Sequence, residues 1–462
     1  MGSPRGPNLP MNKVPDLQSR AADGSEPLGW RVRFREHPLE FALGLFADVR
    51  AGEAITSLLL TATLFLLLMA YYLLKVAREP LILMGGGAEV KSYASAGQAA
   101  LLVPFSLAYG ALAKQVNRIR LIVTVTLFFV SNLLMFWLLA GRAVPLGVPF
   151  YLWVGVFNMA VVAQFWGFAA DIFTAEQGKR LFPVLGIGSS VGAVVGAAAA
   201  RGLIALGPRS LMLLAAVILV VCTGLSVVVQ RRESGTAKPD APPEEPLTGP
   251  NGFALLLGDR YLLLLGALAI VLNAVNTTGE YVLDRTLLEA AKGEARPEVF
   301  IGAFKARYFE WVNIAGVLLQ MFAVSRIIRY LGLRRALFIM PFVSFVGYGI
   351  LAALPLLSLV FTAKVAENAL DYSLQNTGRQ SLWLPTSREA KYKAKQVIDT
   401  FLVRTGDVLS AGIVAVGTVL SFSTAGFALT NAALVLVWIA VLVFLAREHR
   451  KKVPDDPGEV AS

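Results

Sequence analysis

The sequence has very few of the residues that most catalytic and metal sites need. It contains one cysteine, Cys222, and two histidines, His37 and His449, among 462 residues. One cysteine cannot form an intrachain disulfide, and two histidines exclude a histidine-rich metal site. No Ser/His/Asp set, Cys/His pair or metal-ligand spacing is present that would support hydrolysis. We therefore expect a protein that is not an enzyme and that uses no metal and no cofactor.

Charge is also scarce. Charged residues make up 16% of the chain and hydrophobic residues 56%, with a mean hydropathy of +0.63, whereas soluble domains are about a quarter charged. The net charge of +11 would suit nucleic acid, but the basic residues lie in short segments between apolar runs, which is typical of membrane topology signals. These features exclude a soluble globular enzyme and predict a multi-pass membrane protein whose partner is the lipid bilayer, not nucleic acid.

Twelve apolar runs are long enough to cross a bilayer as α-helices, which need about 20 residues each. The runs do not alternate in polarity, so they do not read as barrel strands. The fold class expected is an all-α membrane protein with twelve transmembrane helices. Because Lys75, Arg78, Glu79 and Pro80 interrupt the first run, we expect a kink there. The runs cover 55–83, 94–114, 119–140, 148–170, 183–205, 209–230, 260–283, 300–328, 333–353, 355–373, 399–422 and 425–446.

A proline-rich polar stretch divides the runs into two sets of six. Residues 231–252 contain five prolines and almost no apolar residue, which is typical of a flexible linker. Two six-helix halves are the plan of the major facilitator fold. The basic segments alternate in a way that predicts both termini on the cytoplasmic side of a bacterial inner (cell) membrane. The expected organisation is a cytoplasmic N-terminal segment (1–54) without a cleavable signal, a first half (55–230), a cytoplasmic linker (231–259), a second half (260–446) and a cytoplasmic tail (447–462).

Charged residues of both signs fall within or at the ends of these runs. Each costs about 3 kcal/mol in a bilayer unless it faces a partner or a wet cavity. A cavity lined by them would suit an anionic solute, with a charge-compensating or proton-coupled step; alternatively, opposite charges such as Lys364 and Glu367, three residues apart, only tie helices together. The residues are Lys75, Arg78, Glu79, Asp171, Glu176, Glu280, Lys305, Arg307, Glu310, Lys364, Glu367, Asp371, Arg404 and Asp407.

Two further patterns have a structural and a functional interpretation. Gly188, Gly192 and Gly196 repeat every four residues in an apolar run without a Gly-Lys-Ser/Thr sequence or a preceding strand, which favours close helix packing over a phosphate loop. The run of Lys391, Lys393 and Lys395 is expected in a cytoplasmic loop. It is either a solvated topology signal or a basic entrance that attracts polyanions.

Four stretches of the sequence are similar to one known family. They are LLKVAREPLILMGGGAEV from Leu73, FWGFAADIFTAEQGKRLFPVLGIG from Phe165, NTTGEYVL from Asn276 and the long stretch from Asp371 to Gly406. On these segments and its twelve-span plan, the chain resembles the ATP/ADP translocase family of nucleotide transporters, found in plastids and intracellular bacteria. The resemblance implies exchange of ATP for ADP, or uptake of another nucleotide, with basic side chains holding the phosphates.

The resemblance also implies candidate substrate-binding residues. Lys75 and Arg78 would contact phosphate, and Glu280 would balance charge across the cavity. Glu176, Lys179 and Arg180 would form a cytoplasmic gate, Lys395 would be a basic contact on the entry side, and Arg379 takes a family lysine position. The full set is Lys75, Arg78, Glu79, Glu176, Lys179, Arg180, Glu280, Arg379, Lys395 and Arg404. The chain departs from the family pattern at Asp371, Gln380 and Asp407, where the family has Lys, Glu and Lys. Two lost cations weaken the hold on a triphosphate.

The leading hypothesis is a monomeric secondary transporter for nucleotides that works by alternating access of its two halves. The alternative is a major facilitator permease for a different organic anion or an amphiphilic solute. A third hypothesis, a membrane scaffold that transports nothing, is disfavoured because no soluble domain is appended. Competition by ATP, ADP and inorganic phosphate would separate the first two hypotheses.

Overall fold

The computed structural model describes residues 53–113, 115–142, 144–233 and 251–453, and within these ranges it contains helices and no strand. Most of the predicted N-terminal segment, residues 234–250 of the linker and residues 454–462 of the tail lie outside the described residues. The helices are α1 (Ala54–Ala113), α2 (Arg118–Leu139), α3 (Gly147–Ile172), α4 (Ala175–Leu203), α5 (Pro208–Glu233), α6 (Gly252–Gly258), α7 (Arg260–Ala291), α8 (Pro297–Leu318), α9 (Val324–Ala336), α10 (Ile339–Ala353), α11 (Leu357–Leu370), α12 (Asn376–Ser381), α13 (Lys395–Val397), α14 (Val403–Val419) and α15 (Thr424–Lys452).

Each of the twelve predicted runs falls on helix, although the helix boundaries differ from those of the runs. In the described part of the chain, nine helical stretches are long and apolar enough to cross a membrane. The first of these, Ala54–Leu112, has 59 residues, about 88 Å at 1.5 Å per residue, which is enough for two spans. Two more predicted runs are covered by α10, which is a shorter apolar helix, and by α11.

The break in α1 is not where the sequence analysis expects it. The helix runs without interruption through Lys75, Arg78 and Pro80, and the non-helical residue is Gly87, with φ 79° and ψ −178°. A positive φ of this kind is favourable only for glycine. The expected kink at residues 75–80 is therefore wrong. The chain turns between its first two predicted spans at Gly87, inside the Gly85–Gly87 run.

The second half contains several π-helical turns. They cover Leu319–Ala323, Asp371–Gln375, Ala390–Ala394 and Ile398–Leu402. The expected loop around Lys391, Lys393 and Lys395 is wrong, because this stretch is helical and leads into α14. π-Helical turns occur mostly as single bulges, frequently at functional sites. Two of these turns, Ala390–Ala394 and Ile398–Leu402, precede α14, so this region is a candidate for a functional role.

The small-residue pattern in α4 packs against α1, as predicted. A Cβ atom added at Gly192 would lie 2.2 Å from the carbonyl oxygen of Phe65, and one added at Gly196 would lie 2.7 Å from that of Met69. Gly188 is equally close to Thr61. Glycine at this spacing lets the two backbones approach closely. The prediction of close packing, rather than a phosphate loop, is confirmed.

Candidate functional site

A group of four buried charges joins the two halves of the bundle. Glu79 and Lys91 lie on either side of the Gly87 turn in α1, Asp284 lies on α7 and Lys305 on α8. Lys91 Nζ is 2.5 Å from Glu79 and 2.7 Å from Asp284, and Lys305 Nζ is 2.5 Å from Asp284 and 3.7 Å from Glu79. We call these four residues the charge network. All four are at most 7% exposed, so each charge depends on its partners in place of water.

Glu280 extends the charge network toward α11. Its carboxylate lies 3.6 Å from Lys305 Nζ and 3.8 Å from Lys364 Nζ. It also accepts hydrogen bonds from Tyr308 at 2.6 Å and Asn368 at 3.0 Å. The side chain keeps a quarter of its surface exposed. A carboxylate between two lysines is well placed to balance a charge that enters the cavity.

Lys364 and Glu367 form a second buried pair on one face of α11. Their side-chain atoms lie 2.7 Å apart, with exposures of 0% and 2%. Glu367 also accepts a hydrogen bond from Tyr348 of α10 at 2.6 Å, while Lys364 donates to the Asn276 side chain at 3.0 Å. The predicted contact across one helix turn is confirmed. It ties α7, α10 and α11 together.

Lys75 differs from the other interior cations. It makes no ion pair with any residue in the described ranges, and its ammonium group instead faces aromatic rings. The ring centroid of Phe309, from the second half, is 4.1 Å from Nζ, and that of Tyr72 is 5.1 Å away. The Tyr72 hydroxyl in turn donates to Asn313 of α8 at 2.9 Å. Lys75 therefore lies between the halves, and the faces of these rings stabilise its charge.

Arg78 lies one turn beyond Lys75 and is held on two sides. Its Nε is 3.3 Å from the carboxylate of Glu79. Its guanidinium carbon is 4.5 Å from the ring centroid of Tyr151 on α3. The side chain is 12% exposed, so part of the guanidinium group can still meet a ligand. Arginine is suited to this role because its planar group binds phosphate through two parallel hydrogen bonds.

The three candidate residues at the start of α4 lie apart from this interior. Arg180 donates two hydrogen bonds to Glu53, at 2.9 and 3.1 Å. Glu176 is exposed in the first turn of α4. The side chain of Lys179 lies outside the described residues. The structure thus gives Arg180 a defined partner before α1 and places it in a region separate from Lys75.

None of the three candidates of the second half, Arg379, Lys395 and Arg404, forms an ion pair with the charge network among the described residues. Each contacts a residue at which the chain departs from the family pattern. Arg379 is 3.7 Å from Asp371, and Arg404 is 3.0 Å from Asp407. Lys395 donates to Gln380 at 2.6 Å. The two carboxylates offset the two arginines, so these cations offer less charge to an anion than their number suggests.

Further contacts between the halves gather at the end of the bundle near Gly87. Tyr281 donates to Glu89 at 2.8 Å. Arg201 at the end of α4 lies 3.0 Å from Glu310 of α8, and Arg296 donates to the carbonyl oxygen of Ala205 at 3.1 Å. Together with the charge network, these contacts hold the halves against each other on that side.

A cavity of about 100 Å³ adjoins the charge network. Lys91, Tyr151, Asn276, Glu280 and Asp284 are among its lining residues. This volume is below the roughly 300–1,000 Å³ of sites that hold drug-sized ligands, so it has room for water or for one group of a substrate. In the described residues, no group of three or more His, Cys, Asp or Glu side chains is arranged to hold a metal ion.

Sequence reasoning singled out most of these charges but missed Lys91 and Asp284. Lys91 follows the glycine run and Asp284 ends an apolar run, so both read as residues at a membrane surface. Their pairing depends on the sharp turn at Gly87, which brings Lys91 back beside Glu79. The available signal was the spacing of Glu280 and Asp284, four residues apart and thus on one helix face.

The helix arrangement is similar to that of several membrane transporters of known structure. A bacterial homologue of the iron transporter ferroportin, in an inward-facing state, gives a TM-score of 0.62 at 14% identity over 85% of this chain and 98% of that chain. The POT family transporter PepTSo gives 0.60 at 12% identity over 86% and 98%, and the nucleoside transporter NupG gives 0.55 at 12% over 86% and 98%. These identities establish the fold alone. The predicted all-α, multi-pass membrane fold is confirmed.

Sequence comparison adds two curated relatives. The chain is similar to ADP,ATP carrier protein 1 of Chlamydia muridarum, with 24% identity over 321 residues, and to ADP,ATP carrier protein 1 of Chlamydia trachomatis serovar D, with 23% over 324 residues. Each match covers 60% of this chain, and the chain spans 60% of the length of each relative. The resemblance to the ATP/ADP translocase family, first drawn from four sequence stretches, is confirmed. No family model matches the chain.

Proposed function

We propose that this protein is a secondary transporter, not an enzyme, and that it moves nucleotides across a bacterial inner membrane by ATP/ADP exchange or nucleotide uptake. The observation that carries the proposal is Lys75, a cation between the two halves that forms no ion pair with a carboxylate of the described residues. The proposal includes a monomer with both termini in the cytoplasm. The end of the bundle near Gly87 then faces outward, and the halves are in contact on the outer side.

The charge balance of the interior favours an anionic substrate. The site holds five cations, Lys75, Arg78, Lys91, Lys305 and Lys364, and four carboxylates, Glu79, Glu280, Asp284 and Glu367. The difference of five and four leaves one positive charge in a region where unpaired charge is costly. A phosphate group near Lys75 and Arg78 would offset that charge, whereas a cationic solute would add to it.

The charge network also suggests how binding is coupled to movement. Its ion pairs between α1 and the second half stabilise the closed outer side only while the lysines face carboxylates. A polyanion bound between the halves competes with Asp284 and Glu280 for Lys91 and Lys305. The substrate thus lowers the cost of separating the halves on that side, as alternating access requires.

The remaining candidate residues are assigned to the cytoplasmic side. Glu176, Lys179 and Arg180 would act as a gate, supported by the bonds of Arg180 to Glu53. Lys395 would attract the substrate to the opening. Arg379 and Arg404 would contribute less, because Asp371 and Asp407 offset them.

The names of the relatives support nucleotides as the substrate class. Two ADP,ATP carriers match by sequence, and a nucleoside transporter shares the fold. They do not favour the alternative of a permease for another organic anion or an amphiphilic solute. ATP binding would then involve phosphate contacts at Lys75 and Arg78, with no cofactor.

The test is counterflow in liposomes that contain the purified full chain. Liposomes loaded with ADP receive labelled ATP, and then a panel of other nucleotides and inorganic phosphate. Uptake that depends on internal ADP shows exchange, and uptake into ADP-free liposomes under an imposed pH gradient shows proton coupling. If the inserted, folded protein moves no nucleotide, the proposed function is wrong.

The role of Lys75 is tested with Lys75→Gln. A hydrogen bond to a charged group contributes about 1.5–3 kcal/mol, so we expect the KM for nucleotide to rise about 10- to 100-fold. Lys292→Gln is the matched control, because Lys292 is an exposed lysine in the connection between α7 and α8. A Lys75→Gln protein with the parental KM would show that this residue does not contact phosphate.

A further inference from the structure

A small polar cavity lies inside the first half, where α1, α2, α3 and α5 meet. Its volume is about 30 Å³, and none of the residues of the charge network lines it. We call this space the first-half cavity. Each of its polar lining residues is at most 9% exposed, so their polar atoms need partners inside this half. These residues are Thr63, Thr126, Gln164, Cys222, Thr223 and Ser226.

Gln164 is the residue of the first-half cavity whose hydrogen bonding is incomplete. It lies on α3, is 8% exposed, and its Nε2 atom has no hydrogen-bond partner among the described residues. A buried amide that loses its hydrogen bonds to water destabilises the protein unless another acceptor replaces them. Gln164 therefore needs an acceptor that no described side chain or backbone group supplies.

Three hydroxyl groups in the cavity wall have the opposite property, because they can accept a hydrogen bond while their hydrogens are already used. The hydroxyls of Thr63, Thr223 and Ser226 each donate to the carbonyl oxygen four residues earlier, at 2.7, 2.9 and 3.0 Å. A hydroxyl oxygen has two lone pairs, so each can still accept. The first-half cavity thus presents one N–H donor and three acceptor oxygens to its occupant.

These groups and the volume together select the class of occupant. A cation would meet the N–H group of Gln164, and an anion would meet the three hydroxyl oxygens. A molecule that both accepts and donates hydrogen bonds matches such a wall. A water molecule does so through about two to four bonds and needs a volume of about 10–15 Å³. A nucleotide or an acyl chain exceeds the space available.

We propose that the first-half cavity binds a structural water molecule. The water accepts a hydrogen bond from Gln164 Nε2 on α3 and donates to the hydroxyl oxygens of Thr63 on α1 and Thr223 on α5. Bonds through an ordered water are nearly as strong as direct ones, so the water joins these three helices. Because all of its bonds stay within the first half, they stabilise that half as one body and do not hold it against the second half. The inference does not depend on which solute is transported.

The first test locates the water in an experimental structure of the purified full chain, at a resolution that shows ordered solvent. We expect a density peak about 3 Å from Gln164 Nε2. The peak should be absent from Gln164→Leu, which has a side chain of similar size. A parental map that shows other buried waters but none beside Gln164 overturns the proposal.

The second test uses melting temperatures in detergent and separates a bound water from a dry cavity. In a dry cavity, Gln164→Leu removes an unbonded amide and raises the melting temperature. With water bound, we expect a fall of about 2–4 °C. The fall should be smaller in a Thr223→Val background, where the water has already lost an acceptor.

Thr286→Val provides the matched control background. Thr286 is 6% exposed and donates to the carbonyl oxygen four residues earlier, as Thr223 does, but it lies outside the cavity. Gln164→Leu should therefore have its full effect there. An equal fall in the Thr223→Val and Thr286→Val backgrounds, or no fall in the parent protein, overturns the proposal.

Discussion

Replacing Asp284 with asparagine should open the side of the bundle near Gly87. Asp284 is the one carboxylate within 2.7 Å of both Lys91 and Lys305 in the described residues. The substitution would keep the size of the side chain but remove its charge. The two lysines come from different halves, so losing that charge weakens the contact that joins the halves without deleting bulk from the core.

The free-energy cost of Asp284→Asn depends on the carboxylates that remain close to Lys91 and Lys305. Removing one member of a buried ion pair costs about 3–5 kcal/mol. Lys91 retains Glu79 at 2.5 Å, and Lys305 retains Glu280 at 3.6 Å and Glu79 at 3.7 Å. We therefore expect the lower end, about 3 kcal/mol, which shifts the equilibrium between closed and open states by about a hundredfold.

The assay is the distance between spin labels placed on the two halves. The chain has one cysteine, Cys222, which is 5% exposed, so a cysteine-free background needs only one substitution. Labels at Leu206 and Lys292 would report on the side near Gly87, where both residues are exposed. Asp284→Asn should move the population to longer distances. Glu289→Gln, on the same helix and 55% exposed, should not.

One result would refute this reasoning. If Asp284→Asn remains folded in the membrane and its distance distribution equals that of Glu289→Gln, the charge network does not hold the halves together. The contacts of Arg201 and Arg296 would then be sufficient to keep that side closed.

Two more predictions concern packing and substrate charge. Gly192→Val should lower the stability of the protein in detergent by about 1–3 kcal/mol, because the valine side chain would meet the Phe65 backbone. Gly186→Val is the control, since a Cβ atom added there meets nothing within 4 Å. Equal melting temperatures for the two variants would contradict the packing account. Asp371→Asn removes the partner of Arg379, so competition assays should show the ratio of affinities for ATP and AMP rising by about tenfold; an unchanged ratio would place Arg379 away from the phosphates.

Much of the fold was predictable because it depends on composition. Long apolar runs can be read directly, since a bilayer requires each span to satisfy its own backbone hydrogen bonds. The position of the turn was not predictable from the charges at Lys75 and Pro80. Pro80 lies inside the continuous helix α1, whereas the chain turns at Gly87, which has a positive φ. Helical continuity around Lys391 was missed for a similar reason, since lysines outside an apolar run resemble a loop.

The site was predictable only in part. Lys75, Arg78, Glu79 and Glu280 do come together between the halves, and their buried charge was visible in the sequence. The pairing of these charges was not visible in the sequence, because it depends on which helices pack against each other. Lys91 reaches the interior only through the turn at Gly87. Whether any of the candidate residues contacts substrate remains a prediction.

The pair formed by Glu79 and Lys91 has a consequence for biosynthesis. Membrane segments enter the bilayer in the order of their synthesis, and the first two spans emerge long before Asp284 and Lys305 exist. A lone charge costs about 3 kcal/mol to insert. Because Glu79 and Lys91 lie 2.5 Å apart within one helical hairpin, each can neutralise the other during insertion. The hairpin can then remain in the membrane until Asp284 and Lys305 are synthesised, without exposing either charge to lipid.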